Sequence, residues 1–395
     1  MSKSIRSLVT INVLVFLLCS CQTASWPQVY EKPENLLTDE YFKGDTYQPE
    51  TMQQIFTLPD NARRDLVRIV SGENIAERKA KAVLEFIFSY ADDGLLYDHA
   101  STRTAAETLA YGRANCLSLS ILAFSLAKEA GMDAVFQDVQ IPEYWTTDMN
   151  QSWLNGHVNV KLRQNQISGS NIGISLLGRD IVVDFDPYTL KNRFPEHEIS
   201  MQRVVAMFHN NKAAAAFSEG NHAQAYRYYR AAIDADPKFA VTWSNLAVLY
   251  RINGLNELAR RSYYYSLSLD PTSTNTLSNL AFLYRQTGEV KKAKLLEDRV
   301  LTKRNNNPYY YLMLGNEAYK RNDLNEAINQ YNRTLQLDRQ NHEAYFGLAK
   351  TYYLLDNNSR ASHYLEKAVR TATSTQDQHR YEHKLAILNQ VAKLH

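Results

Sequence analysis

Apolar residues between about positions 60 and 130 recur at three- and four-residue spacing, which is typical of amphipathic helices. The spacing predicts helices over 62–70, 75–90, 104–111 and 116–129. Runs rich in Val, Ile and Phe then predict strands over 134–139, 157–162 and 180–185. The first half of the chain is therefore expected to fold as a mixed α+β unit.

From about residue 206 the pattern itself repeats every 34 residues, as WSNLA at 243–247 and LSNLA at 277–281 illustrate. This register gives five units that start at Ala206, Ala240, Thr274, Pro308 and His342. Small residues hold the eighth and twentieth positions, and mostly aromatic residues hold the twenty-fourth, where Glu297 is an exception. The pattern resembles the tetratricopeptide repeat, a helix pair that stacks into an all-α solenoid.

Asn211, Asn245 and Asn279 share the sixth position of three successive units, and Met313 and Gly347 end the series. Amides at this position bind peptide backbone in some repeat proteins, since an amide both donates and accepts hydrogen bonds. The three are candidate peptide-binding residues; the alternative is that they only keep a helix surface polar. Solenoids of this kind usually bind a protein or peptide partner in their concave groove.

Composition excludes several classes of protein. The 395 residues carry a formal net charge of +2, so the overall balance does not favour binding to a polyanion. Neither a metal-binding HExxH or paired CxxC motif nor a phosphate-binding loop with its lysine is found. We therefore predict no metal, no cofactor and no nucleic-acid partner.

The amino terminus has the features of a targeting segment. Lys3 and Arg6 precede an apolar run at 8–18, which is too short to span a membrane. The sequence Leu-Cys-Ser-Cys that ends at Cys21 resembles the lipobox of bacterial lipoproteins. The resemblance implies cleavage before Cys21 and its lipidation, and Gln22 favours the outer membrane, facing the periplasm. The alternative is a plain secretory signal, without a membrane anchor.

Cys116 is the only thiol that remains in the mature chain if Cys19 is removed and Cys21 is acylated. It opens an apolar helix directly after Asn115, a residue type that caps helices well. A thiolate in this position is stabilised by unpaired backbone N–H groups and the helix dipole. The alternative is that Cys116 only packs in the core.

Three segments in order resemble the transglutaminase-like superfamily, whose papain-like fold uses a Cys-His-Asp triad. They are the Gly-Arg-Ala-Asn-Cys turn that ends at Cys116, the strand that begins at His157, and the run Val-Val-Asp-Phe-Asp-Pro at 182–187. The resemblance covers roughly residues 60–200. It implies a Cys116 nucleophile, a His157 base and an Asp that orients the imidazole.

Two carboxylates compete for the third role. Asp184 and Asp186 are two residues apart and so point to the same side of a strand. The usual family motif ends in Asp-Pro, which favours Asp186. We favour Asp184, because it lies deeper in the apolar run, and keep Asp186 as the alternative. The aromatic residues Tyr144, Trp145 and Trp153 either form the rim of a substrate cleft or pin a loop to the core.

These features predict a signal peptide at 1–20, a tether at 21–57, a transglutaminase-like domain at 58–205, five repeats at 206–375 and a capping helix at 376–395. The expected function is an envelope-anchored cysteine-dependent acyl hydrolase or transferase that acts through a thioester, with repeats that recruit a protein or peptide. The alternative is a non-enzymatic scaffold with a catalytically silent fold. The sequence leaves open the substrate, the choice between hydrolysis and transamidation, and the identity of the partner.

Overall fold

The structure is a computed structural model. It describes residues 32–43, 47–73, 76–89, 96–98, 101–148, 151–163, 180–185 and 194–391.

Helix α5 is the centre of the first half of the chain. The helices of this half, α1 to α5, span Met52–Phe56, Asp60–Val70, Ala76–Ser89, Ala105–Tyr111 and Cys116–Glu129. Because α5 is apolar on nearly every face, it is buried among the other helices and a sheet, with Ile121 and Leu122 fully inaccessible. Thr104 caps α4, and its side chain accepts a hydrogen bond from the backbone N–H of Glu107.

The sheet that covers α5 is antiparallel and has the strand order β5-β4-β3-β6. These strands are β3 Asp133–Asp148, β4 Gln151–Arg163, β5 Ile181–Val183 and β6 Glu196–Ile199. A separate parallel pair consists of β1 Leu96–Tyr97 and β2 Arg113–Ala114. Residues 141–148 and 151–156, which carry the aromatic side chains expected to lie on a loop, extend β3 and β4 into a long hairpin, because Tyr144 to Asp148 pair with Gln151 to Asn155.

The second half consists of helix pairs stacked in sequence. The helices α6 to α16 span Met201–Ser218, His222–Ala235, Ala240–Ile252, Asn256–Leu269, Thr274–Gln286, Val290–Arg304, Pro308–Lys320, Leu324–Leu337, His342–Leu354, Asn358–Thr371 and Thr375–Val391. The second to fifth units begin at the residues that the 34-residue period predicts. The helix that contains Ala206 begins earlier, at Met201, and its residues Val204 and Val205 belong to the core of the first half.

Part of the predicted tether is packed against the repeats. Leu36 is fully buried and Phe42 nearly so, and the Phe42 ring stacks on Tyr226 with the centroids 4.6 Å apart. The Tyr250 hydroxyl donates to the carbonyl oxygen of Leu36 at 2.7 Å. Isolated anchors of this kind produce no periodic pattern in the sequence. Within the parts of the chain described above, no helix is both long and apolar enough to cross a membrane.

The apolar core of the repeats is interrupted between the third and fourth units. One cluster ends with Val300 and the next begins with Leu312. The twenty-fourth position of the third unit holds Glu297, where the second and fourth units have the fully buried Tyr263 and Tyr331. A cavity of about 320 Å³ lies beside Glu297, and we call this interruption the seam.

Candidate active site and repeat groove

Cys116 is the first residue of α5, and Asn115 caps the helix. The Asn115 side chain accepts from the Ser118 N–H at 3.0 Å and donates to Thr102 Oγ1 at 2.8 Å. Both ends of this amide are therefore engaged in holding the helix start in place. The thiol is partly exposed, and its sulfur lies 3.8 Å from the carbonyl oxygen of Gly156.

His157 and Asp184 form a buried ion pair beside this thiol. His157 Nε2 lies 2.8 Å from Asp184 Oδ1, and the two side chains are 2% and 4% exposed. Because Nε2 contacts Asp184, Nδ1 is the ring nitrogen left for the hydrogen bond with Cys116. The structure thus brings Cys116, His157 and Asp184 together, and Asp186 lies outside the described residues.

The electrostatics of this cluster favour a charged imidazole. Burial by itself lowers the pKa of His157, but the hydrogen bonds with Asp184 and Cys116 outweigh it and raise the pKa to about 10. His157 is therefore held as imidazolium at neutral pH. A cation beside a thiol at a helix N-terminus is the environment that stabilises a thiolate.

Asn159 is a member of the cluster that the sequence interpretation missed. It lies two residues after His157 on β4, is 1% exposed, and donates from Nδ2 to Asp184 Oδ2 at 3.3 Å and to Glu196 Oε1 at 3.4 Å. Asn159 therefore holds the carboxylate oxygen of Asp184 that does not meet the imidazole. The two-residue alternation of the strand could have shown that Asn159 and His157 share a face.

Tyr144 and Trp145 contact the repeats. Tyr144 lies 6.0 Å from Tyr309 between ring centroids, and Trp145 lies 6.1 Å from Tyr310. The two rings therefore hold the hairpin in place, which agrees with the second of the two predicted alternatives. They hold it against the solenoid instead of the core of the first half. The side chain of Trp153 lies outside the described residues, as does Cys21.

The three candidate asparagines of the repeats are half-buried, each on the first helix of its unit. Asn245 Nδ2 donates to Asn210 Oδ1 at 3.0 Å, so part of its amide bonds the neighbouring unit. The series ends at Met313 in the fourth unit, and Gly347 in the fifth unit has a steric reason of its own: a Cβ there would lie 2.5 Å from Cζ of Tyr331. A side chain at the sixth position of the fifth unit is therefore excluded by the packing of the fourth.

Comparisons with known proteins agree on the repeats. Family models described as tetratricopeptide repeat match residues 203–274 and 342–374, and a model described as TPR repeat matches 315–356. These parts of the chain are tetratricopeptide repeats, a class of module that binds proteins or peptides.

A repeat-containing protein of Methanocaldococcus jannaschii is 36% identical over 83 residues, which are 21% of this chain and 14% of that protein. The chain thus spans a small part of that relative's length. The solved structure of MamA is 22% identical and covers 42% of this chain and 91% of its own, with a TM-score of 0.25. For PilW, described as a type IV pilus biogenesis factor, the identity is 21%, the coverage 46% and 92%, and the TM-score 0.26.

Proposed function

We propose that this protein is a cysteine-dependent acyl hydrolase or transferase whose repeats hold a protein or peptide partner. The observation that carries the proposal is the buried His157–Asp184 pair, 2.8 Å apart, beside the partly exposed thiol at the start of α5. The order of Cys, His and Asp on a helix, a strand and a strand end supports the resemblance to the transglutaminase-like superfamily.

In the proposed reaction, the Cys116 thiolate attacks the carbonyl carbon of an amide, and the carbonyl oxygen becomes an oxyanion. The backbone N–H of Cys116, at the first turn of α5, is a suitable donor to it. The His157 imidazolium gives its proton to the leaving nitrogen, the C–N bond breaks, and a thioester remains on Cys116.

Neutral His157 then removes a proton from the acceptor, which attacks the thioester and releases the thiolate. With water as the acceptor the product is a carboxylic acid, and the protein is a peptidase or amidase. With an amine the product is a new amide, and the protein is a transglutaminase-type enzyme. Asp184 favours the charged imidazole throughout, because its carboxylate is buried against Nε2.

The second candidate is a non-enzymatic scaffold in which the transglutaminase-like fold is silent and the repeats carry the function. The comparisons favour it, because family models of a binding module match 203–274, 315–356 and 342–374. The two candidates differ in one measurable property, the reactivity of the Cys116 thiol.

We extend the proposal to the cell envelope. The lipobox-like sequence before Cys21 supports a lipid anchor on that residue, and Gln22 supports retention at the outer membrane. Cells that express the protein are grown with a radioactive fatty acid, and cells that express Cys21→Ser serve as the control. This experiment tests the lipid anchor independently of the candidate active site. Label that persists in the variant would contradict it.

The test of the enzymatic proposal is the pH dependence of Cys116 alkylation by iodoacetamide. Peptide mass spectrometry of the full chain quantifies the label on Cys116 alone, whatever the other cysteines do. We expect rapid labelling near pH 6, where an ordinary thiol, with a pKa of about 8.5, is almost entirely protonated. His157→Ala and the isosteric Asp184→Asn should both slow it.

Circular dichroism of each variant shows whether it is still folded. Labelling of the wild-type protein only above about pH 8.5, or at the same rate in the folded His157→Ala variant, would contradict the enzymatic proposal and leave the scaffold.

A further inference from the structure

Glu143, on the β3–β4 hairpin of the first half, forms a partly buried ion pair with the repeats. Its carboxylate accepts from Arg304 Nε at 2.9 Å and also from the Thr274 hydroxyl. Its backbone carbonyl accepts from Asn307 Nδ2 at 2.7 Å. The Arg304 side chain is 8% exposed and the Glu143 side chain 29%, so the guanidinium is withdrawn from solvent and the carboxylate is partly exposed.

Aromatic rings surround this ion pair. The Arg304 guanidinium lies 4.8 Å from the ring centroid of Trp145 and 5.6 Å from that of Tyr310. Arg304 also donates to Ser278 Oγ at 3.2 Å. This pair contributes more to specific docking than a fully exposed one, because removal of Glu143 leaves the buried Arg304 charge uncompensated. We call residues 143–145 of β3 the docking segment, and its contacts lie at the seam.

The docking segment closely follows the part of β3 that pairs with His157. Val139 pairs with His157 and Tyr144 pairs with Asn155, so residues 140–143 bulge from β3 opposite Gly156 alone. The Gly156 carbonyl oxygen is the atom that lies 3.8 Å from the Cys116 sulfur. The bulge is fixed at its start, where the N–H of Gln140 donates to the carbonyl oxygen of Pro195 at 2.8 Å, and at its end by Glu143.

We infer that Glu143 and Arg304 are positioning residues through which the repeats hold the bulge, and with it Gly156 and His157, against Cys116. The inference rests on the proposed function and assigns the repeats a second role besides binding a partner. The third unit completes the support of the active site because Glu143 has its carboxylate partners there and not in its own domain.

The experiment compares Arg304→Gln and Glu143→Gln with a control, Arg285→Gln. Arg285 lines the same cavity but pairs with Glu297 at 2.5 Å and is half exposed. Two readouts are taken on the full chain: the pH profile of Cys116 alkylation, and hydrogen exchange of peptides that cover 136–160. We expect the two test variants to label about tenfold more slowly near pH 6 and to exchange faster in the bulge. The control should match the wild type in both.

A charge swap, Glu143→Arg with Arg304→Glu, should recover part of the lost labelling rate, which a general loss of folding would not allow. Rapid labelling that is equal in the wild type and both test variants overturns the inference and leaves the proposed function intact. If the wild type itself labels only above about pH 8.5, the proposed function and the positioning role both fail, and hydrogen exchange then reports the docking of the hairpin alone.

Discussion

Gly347 tests how the fourth and fifth repeat units pack together. A Cβ on this residue would lie 2.5 Å from Cζ and 2.6 Å from Cε1 of Tyr331, closer than non-bonded carbon atoms approach in folded proteins. Tyr331 is fully buried, and its hydroxyl donates to Asn316 Oδ1 at 2.9 Å, which fixes the ring. Gly347→Ala therefore inserts a methyl group where no space exists.

Two effects of opposite sign decide the outcome. Replacing glycine by alanine inside α14 favours folding by about 1 kcal/mol. Overpacking of a well-filled core costs about 1–3 kcal/mol. We expect the steric effect to win, because the ring would have to break its hydrogen bond to move, and we expect a net loss of about 1 kcal/mol in the free energy of unfolding.

Urea unfolding followed by far-UV circular dichroism measures this difference. The matched control is the same change in a Tyr331→Leu background, where the ring that meets the new methyl group is gone and alanine should stabilise the helix. A stabilising effect of Gly347→Ala in the wild-type background would refute the packing argument.

The remaining predictions concern the seam and two histidines. Glu297→Tyr should occupy part of the cavity beside it and stabilise the protein by about 1 kcal/mol in the same assay, because buried apolar area outweighs an exposed ion pair; a lower urea midpoint would contradict this. The pKa of His157 is raised to about 10, so the stability it contributes is present below about pH 6.5 and is lost as the pH rises towards 10. Asp184→Asn should weaken this dependence of stability on pH. An unchanged slope of stability against pH would show that the His157–Asp184 pair does not cause it. Burial lowers the pKa of His209 to about 4, so stability should fall as the pH drops from 6.5 to 4. His209→Phe should remove this loss, and equal acid sensitivity of variant and wild type would count against it.

The repeat register could be predicted closely because each unit carries its own local signals. Small residues mark where two helices meet, so the starts at Ala240, Thr274, Pro308 and His342 follow from spacing alone. The departure at Glu297 was visible in the sequence as well. Its consequence, a cavity and a seam, depends on how neighbouring units stack and could be found only in three dimensions.

The candidate site, too, could be predicted only in part. Cys116 and His157 stand at predictable places, a capped helix start and a strand. The choice of Asp184 followed from its apolar neighbours, and the structure describes that residue next to His157. Asn159 and the docking of Glu143 on Arg304 were missed, because each depends on contacts between residues distant in sequence or on a bulge that no periodicity reveals.

Acylation of Cys116 tests the central claim most directly. The protein is mixed with a p-nitrophenyl ester, and the released nitrophenol is quantified. Intact-mass and peptide mass spectrometry locate the acyl group on the protein. We predict that a thioester forms on Cys116 and is then hydrolysed over repeated turnovers. Cys116→Ser should be inert, and His157→Ala should be slow in both steps. The enzymatic proposal would be contradicted if no acyl group formed on Cys116, or if the thioester formed and was hydrolysed equally fast in His157→Ala. Either result would assign the function of the protein to its repeats.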